Sequence, residues 1–319
     1  MRRPAKRPWG QQRDCLEMKT DPPALPGRLR LAVAIATVGR AETVAQALGV
    51  LRDQTRSPDT IIVCCPSASD VTGLVAVTTD VQVILEPAGL SRQRNRILKS
   101  LIGFDIVVYF DDDFVPDARY LEIVERVFIS HPEVVMTTGR VLADGVRGPG
   151  LSLATAREIL CTHAGDTGDP LRIQDVHNGY GCNMGIRLAP AFANELLFDE
   201  HLPLYAWLED IDFSRRLARH GRIVQVASAM GVHLGVKAGR QPGVRLGYSQ
   251  IANPIYLVRK GTCSLPRALW LMSRNIAANV VRSTRPEPYV DRAGRALGNG
   301  CALLDLIRGQ LTPTRIVSL

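Results

Sequence analysis

No window of the 319-residue chain reaches about eighteen uninterrupted apolar residues, so no membrane-spanning helix is expected. The seven cysteines (Cys15, Cys64, Cys65, Cys161, Cys182, Cys263, Cys301) are odd in number and include no C-x-x-C pair. Most sit in apolar surroundings and read as reduced core residues of a cytosolic protein. The opening "MRRPAKRPWGQQRD" is basic with no apolar stretch behind it, which is not the pattern of a secretory leader. Acids are scarce at both ends. Residues 1–30 hold eight Lys/Arg against three acids, and residues 237–319 hold thirteen against three. With a net charge of +8 for the whole chain, the middle must be negative. A nucleic-acid-binding domain would line its main site with basic groups, so no nucleic acid is expected as partner. An acidic centre suits the handling of a metal, and basic ends suit an anionic surface.

What is present is a hydrophobic content of 46%, enough for one large domain with appendages or for two domains. Residues 1–28 lack periodicity and read as a mobile basic arm. From residue 29, "LRLAVAIATV", "DTIIVCCP", "VQVILEP" and "FDIVVYFDDD" are apolar runs of the kind that fits strands buried on both faces. "AETVAQALGVLRDQ" and "SRQRNRILKSL" between them have helical spacing, the second with Ser91 as its N-cap. This alternation predicts parallel βαβ units and an α/β, doubly wound sheet. Further along, "ARYLEIVERVFISH" and "LEDIDFSRRLARHG" read as helices, the latter closed by Gly221 at C′. "EVVMTTGRVL", "CNMGIRL" and "RIVQVASAMGVHL" read as strands, and residues 143–175 as a long connection. No internal repeat occurs.

The stretch "VVYFDDDFVPD" places Asp111, Asp112 and Asp113 at the carboxyl end of a strand, where open parallel sheets bind ligands. Alternation along a strand puts Asp111 and Asp113 on one side and Asp112 on the other. Two converging carboxylates form a hard-oxygen site for Mg²⁺ or Mn²⁺. A solvated loop whose acids cap the next helix, as Asp117 does before "ARYLEI", has the same local look. Downstream, Glu209, Asp210 and Asp212 open a helix, His233 ends a strand, and "NGYGCNMGIRL" supplies small residues around Asn183. Arg92, Arg94 and Asn95 lie early in a helix, where N–H groups and guanidinium forks suit phosphate. Each signal has an ordinary structural reading when taken alone. Their order and spacing are specific.

Together "AVAIATVGRAETVAQALGVLRDQ", "GLSRQRN", "VVYFDDDFVPD", "GCNMGIR", "EDIDFSRRLARHG" and "VHL" resemble the inverting family 2 nucleotide-sugar glycosyltransferases of the GT-A fold, over roughly residues 30–236. The resemblance implies a catalytic domain at 29–236, with a nucleotide-sugar half to about residue 115 and an acceptor half after it. It implies Asp111 at the donor ribose or metal and Asp113 as a metal ligand, with His233 nearby and Asp112 as the variable middle position. Asp210 would be the catalytic base, and Glu209, Asn183 and Cys182 would face the acceptor. Thr37, Arg40, Glu42, Arg94 and Asn95 would face the donor. The implied cofactor is Mn²⁺ or Mg²⁺, and the implied partners are a nucleotide-diphosphate sugar and a saccharide or lipid-linked saccharide. Two departures stand out. The acid expected after the second strand is replaced by "CCPSASD", which leaves Asp70 as a loose candidate for the base contact, and no Q-x-x-R-W element of processive synthases occurs.

Two other classes compete. A sugar-phosphate nucleotidyltransferase would need a Gly-rich, Arg/Lys-bearing loop after the first strand, where "ATVGRAET" has one glycine and one arginine. A non-catalytic carbohydrate- or membrane-binding protein on the same fold should have lost Asp113 or Asp210. Beyond residue 236, "KAGRQPGVR" reads as a mobile loop offering Arg240 or Arg245 to the diphosphate. Leu269, Met272, Ile276 and Val280 form a helical stripe that fits a bilayer interface or the catalytic domain equally well. The expected location is cytoplasmic, with peripheral contact to an anionic membrane.

Overall fold

The computed structural model describes residues 27–72, 81–163, 169, 171–239 and 242–319. The first half runs β1 (Leu31–Ala36), α1 (Ala41–Leu51), β2 (Thr60–Cys65), β3 (Val81–Leu85), α2 (Leu90–Ser100), β4 (Ile106–Asp111), β5 (Phe114–Pro116) and α3 (Tyr120–Ser130). It continues with β6 (Val134–Asp144), α4 (Leu153–His163), β7 (Ile173–Asp175), β8 (Asn183–Arg187), α5 (Leu188–Ala193), α6 (Glu209–Leu217) and β9 (Arg222–His233). Three helices close the chain: α7 (Gly243–Lys260), α8 (Leu265–Arg282) and α9 (Arg292–Ile307).

Three of the four apolar runs behave as expected. β3, β2, β1 and β4 lie side by side, all parallel. Of these, β2, β1 and β4 bury both faces, whereas β3 ends the row and leaves Gln82, Val83 and Leu85 exposed, so it is not the doubly buried strand its sequence suggests. Leu31, Val33 and Ile35 of β1 pack with Val44, Leu48 and Leu51 of α1 on one face. Ala32 and Ala34 pack with Ile97 and Leu98 of α2 on the other. Beyond β4 the sheet becomes mixed. β8 runs antiparallel between β4 and β6, and the long β9 pairs parallel with β6. β9 also carries β5 near its end and β7 near its start, both antiparallel.

Three local expectations change. α2 starts at Leu90 after Gly89 (φ 151°), and Ser91 is buried in the first turn rather than capping it. Gly221 serves a close approach instead of a left-handed cap: a Cβ there would lie 2.4 Å from Val135 Cγ1 and 2.5 Å from the Glu133 carbonyl. The connection 143–175 contains α4 and β7. Residues 1–26 of the expected arm lie outside the described residues, as does Arg240.

The last three helices pack on the sheet domain and on each other. Asn253 of α7 donates to the Trp207 carbonyl (2.7 Å). Lys260 Nζ and Thr262 Oγ1 donate to the fully buried Asp212 at 2.8 and 2.9 Å. Arg245 belongs to α7, not to a loop, and its Nε donates to the Leu319 carbonyl. In α8, Met272 and Ile276 join a cluster with Tyr248 and Ile251 of α7 and Ala302 of α9. Leu269 and Val280, nearer the helix ends, are exposed, so the expected stripe is only half covered.

α7 and α9 cross backbone to backbone. A Cβ at Gly298 would meet the Val244 carbonyl oxygen at 2.1 Å and the Tyr248 nitrogen at 2.7 Å. In an open helix Gly→Ala gains about 1 kcal/mol of propensity. Here the atoms in the way are backbone and cannot rotate aside. Gly298→Ala is therefore expected to destabilise the fold by about 1–3 kcal/mol, visible as a lowered Tm. An unchanged or raised Tm would remove the close crossing from this account.

Candidate active site

The three aspartates are tolerable because each has its own counter-charge. Asp113 Oδ1 lies 3.2 Å from His233 Nε2, and its Oδ2 accepts the Val236 N–H at 2.7 Å. Burial alone would raise its pKa, but His233 and Arg40 bring it below the ordinary carboxylate range. Asp112 turns the other way, as strand alternation predicts. It accepts from Thr37 Oγ1 (2.7 Å) and Arg40 Nη1 (2.8 Å), and burial still pushes it up to about 6. Asp111 accepts from Arg94 Nη2 at 3.2 Å.

Arg94 is only 2% exposed. Besides Asp111 it donates to Glu209 and to the Gly181 carbonyl (2.8 Å), and it stacks over Tyr109 and Phe198. The helix that carries it thus supplies an internal brace in place of the expected open phosphate cradle. Asn95 is also committed, exchanging bonds with the Phe198 backbone and donating to Glu200. Arg92 is exposed and paired with Glu86. Glu42 sits exposed in the first turn of α1, while Thr37 and Arg40 are tied to Asp112.

Glu209 and Asp210 open α6. The chain enters through three non-glycine residues in the left-handed region, Leu204 (φ 57°), Ala206 (φ 51°) and Leu208 (φ 74°). Leu90 N–H donates to the Leu204 carbonyl at 2.8 Å and Asn253 holds Trp207, so the strained turn is pinned from two sides. Asp210 Oδ2 accepts the Gly181 N–H at 3.1 Å, and its side chain keeps partial access to solvent. Burial raises the pKa of both acids; for Glu209 the neighbouring Asp210 adds to this and Arg94 opposes it. A carboxylate shifted upward is a better proton acceptor near neutral pH.

Other expected contacts go elsewhere. Glu209 is buried in its pair with Arg94 rather than open to an acceptor. Asn183 is fully buried between strands, accepting from Thr138 Oγ1 (2.6 Å), and does not face solvent. Cys182 lies in the core beneath the acids, its thiol pushed well up by burial and by the surrounding carboxylates. Asp70 spends both oxygens on backbone, accepting from Gly39 and Ser67 N–H groups.

Asp144 was not anticipated. It ends β6 opposite His233 in the ladder, 3.1 Å from Nδ1, and accepts the Tyr180 hydroxyl at 3.0 Å. An acid ending a strand is the signal that marked Asp111, but "ADG" reads as a turn. A carboxylate behind a ring nitrogen orients the imidazole and fixes which nitrogen faces the site.

The oxygens of Asp111 and Asp113 and a nitrogen of His233 all lie within 4.8 Å of one another. Two carboxylates and an imidazole fit Mn²⁺ by donor type, and the geometry admits a divalent ion. Neither a protein-family model nor any curated protein matches this chain. Solved structures do. The mannosyltransferase PcManGT from Pyrobaculum calidifontis, in complex with GDP-Man and Mn²⁺, aligns at 15% identity over 91% of this chain and 85% of that one, with a TM-score of 0.52. S. aureus TarS 1-349 aligns at 14% over 91% and 83%, with a TM-score of 0.55. The fold is GT-A. A third GT-A neighbour, GalNAc-T7 with UDP, GalNAc and Mn²⁺, aligns at 13% over 91% of this chain but only 58% of its own, with a TM-score of 0.52.

Two predictions follow from these contacts. Arg94→Met leaves buried Glu209 and its neighbours uncompensated and is expected to cost about 3–5 kcal/mol in denaturant unfolding. A loss under 1 kcal/mol would mean that the brace is dispensable. The second concerns His233. Burial lowers its pKa, but Asp113, Asp144 and Asp111 outweigh burial and raise it to about 10. Without an ion the ring is therefore an imidazolium at neutral pH and has no free lone pair. Ligation must release that proton, so Mn²⁺ affinity should rise with pH through the neutral range. Calorimetry in buffers of different ionisation enthalpy should find about one proton released per ion. Affinity independent of pH would exclude His233 as a ligand.

Proposed function

We propose that the chain is an inverting, family 2-type glycosyltransferase that moves one sugar from a nucleotide-diphosphate sugar to a hydroxyl acceptor. The observation that carries this is the joining of two acid groups at the carboxyl ends of the central strands. Asp111, Asp113 and His233 form one, Glu209 and Asp210 the other, and Arg94 links them. The GT-A neighbours crystallised with GDP-Man, UDP and Mn²⁺ support the same reading.

In this reading Asp113, Asp111 and His233 would hold a divalent ion, and that ion would supply Lewis-acid neutralisation of charge on the departing diphosphate. Asp210 accepts the proton of the acceptor hydroxyl. The oxygen then bonds to C1 of the sugar from the face opposite the leaving group, and the C1–O electron pair departs with the diphosphate. The Gly181 N–H and the Ile211 N–H fix the Asp210 carboxylate. Glu209 acts through Arg94 as a positioning residue. Thr37 and Arg40 set the Asp-X-Asp turn through Asp112.

We read transfer as non-processive, one sugar per acceptor; the lack of a Q-x-x-R-W element in the sequence supports this reading. A lipid-linked saccharide in polysaccharide or glycolipid assembly is the acceptor that best suits the basic C-terminal segment, which would place the enzyme peripherally on the cytoplasmic face of a membrane.

The test is release of nucleoside diphosphate from a panel of nucleotide sugars with Mn²⁺, abolished by EDTA and restored by Mn²⁺ or Mg²⁺. Asp210→Asn keeps shape but removes basicity, and should cut kcat about a hundredfold or more with donor affinity nearly unchanged. Near-normal kcat would remove Asp210 from the mechanism. Pyrophosphate released from a nucleoside triphosphate would instead identify a nucleotidyltransferase.

A further inference from the structure

Helix α8 contains no carboxylate from Leu265 to Arg282. Its inner side is spent on the cluster around Met272 and on Asn279, which donates to Gln250 and Asn299. Its outer side is mostly apolar, interrupted midway by Ser273 and Arg274. Leu265, Leu269, Trp270 and Val280 are 53–57% exposed and Val281 is 72% exposed, and Ala277 lies between them on the same side. Exposed apolar residues scattered singly are ordinary. Five large ones on one side of a single helix, in two groups bridged by Ala277, form an apolar surface of the kind that marks an interaction site.

Neighbouring charges say what covers it. Arg274 lies on the exposed side with its guanidinium 4.6 Å from the centre of the Trp270 ring, while Arg267 reaches back to Asn178 and the exposed Arg282 is paired with Glu287 at the helix end. Helix α9 repeats the pattern. Leu297, Leu304 and Ile307 are exposed, while its one acid, Asp305, is buried beneath Tyr248 and Arg315. α8 carries arginines and no acid, so a second copy seated on the same face would bring like charges together, which repulsion opposes. A bilayer with anionic headgroups satisfies both features at once: acyl boundary for the apolar chains, phosphates for the arginines. Tryptophan and arginine are also the side chains that settle at the headgroup level.

We infer that the outer face of α8 seats the protein on an anionic bilayer, with Trp270 and Val281 at the acyl boundary and Arg274 among the headgroups. This deepens the membrane reading of the proposed function, and it is tested by vesicle binding, with catalysis only as a control. Full-length protein is sedimented with phosphatidylcholine vesicles, with and without phosphatidylglycerol. Binding is expected only with phosphatidylglycerol and should weaken with salt, accompanied by a blue-shifted tryptophan emission that Trp270→Phe abolishes. The double substitution Trp270→Ser, Val281→Ser touches exposed positions and should bind about tenfold more weakly or worse, with unchanged Tm. Arg274→Glu should reduce binding to phosphatidylglycerol vesicles alone. Protein that stays in the supernatant at low salt, or serine variants that bind like the parent, would overturn the inference. So would a dimer in sedimentation velocity that the serine variants dissolve. Diphosphate release from soluble donor, measured on the same variants, should be unchanged, which separates failure of the surface from failure of the transferase reading.

Discussion

A single buried guanidinium holds the site together. Arg94 takes Asp111 from the end of one strand, Glu209 from the start of a helix and a carbonyl from the loop before β8, so three distant parts of the chain converge on one planar fork. Arginine suits this place because it stays charged when buried and can bind several acceptors in fixed geometry. The cost of burial is offset only while all its partners are present. Together with His233 and Arg40 it allows six carboxylates, Asp111 to Asp113, Asp144, Glu209 and Asp210, to crowd the carboxyl ends of the central strands. A site assembled this way is preorganised: its acids are positioned before any substrate arrives.

The strained entry to α6 follows from the same constraint. Glu209 can reach Arg94 only if the helix begins abruptly, and the alternating left-handed residues at 204, 206 and 208 make the abrupt start. Such a turn persists only when its surroundings over-determine it. α2 supplies one anchor through Leu90 and α7 the other through Asn253. The C-terminal helices are thus part of what shapes the acidic edge.

Much of this was legible in the chain itself. β1 to β4 are continuous apolar runs, and their helices show clear periodicity, so the doubly wound sheet and the convergence of Asp111 and Asp113 could be read directly. β5 and β7 could not, since three residues carry no period. Arg94 looked like a phosphate ligand because its partner Glu209 lies 115 residues away, and only the fold shows the guanidinium to be enclosed. Asn183 and Cys182 were drawn into the site by their small neighbours, yet β8 places Asn183 inside the sheet and Cys182, just before it, joins the core. Asp144 was missed because it meets His233 across β6 and β9, strands paired in space but remote in sequence.

Asp212 lies two residues beyond Asp210 and takes its outside partners, Lys260 and Thr262, from the far side of α7. This sets an order in time as well as in space. On the ribosome, the residues that form the acidic edge emerge well before those that fix the helix bearing Asp210. A nascent chain released short of residue 260 would leave Asp212 with Arg216 as its remaining ion-pair partner. The segment that carries Asp111 and Asp113 precedes these anchors in the chain, so the helix bearing Asp210 gains its full set of contacts only once residues 253 to 262 have been made.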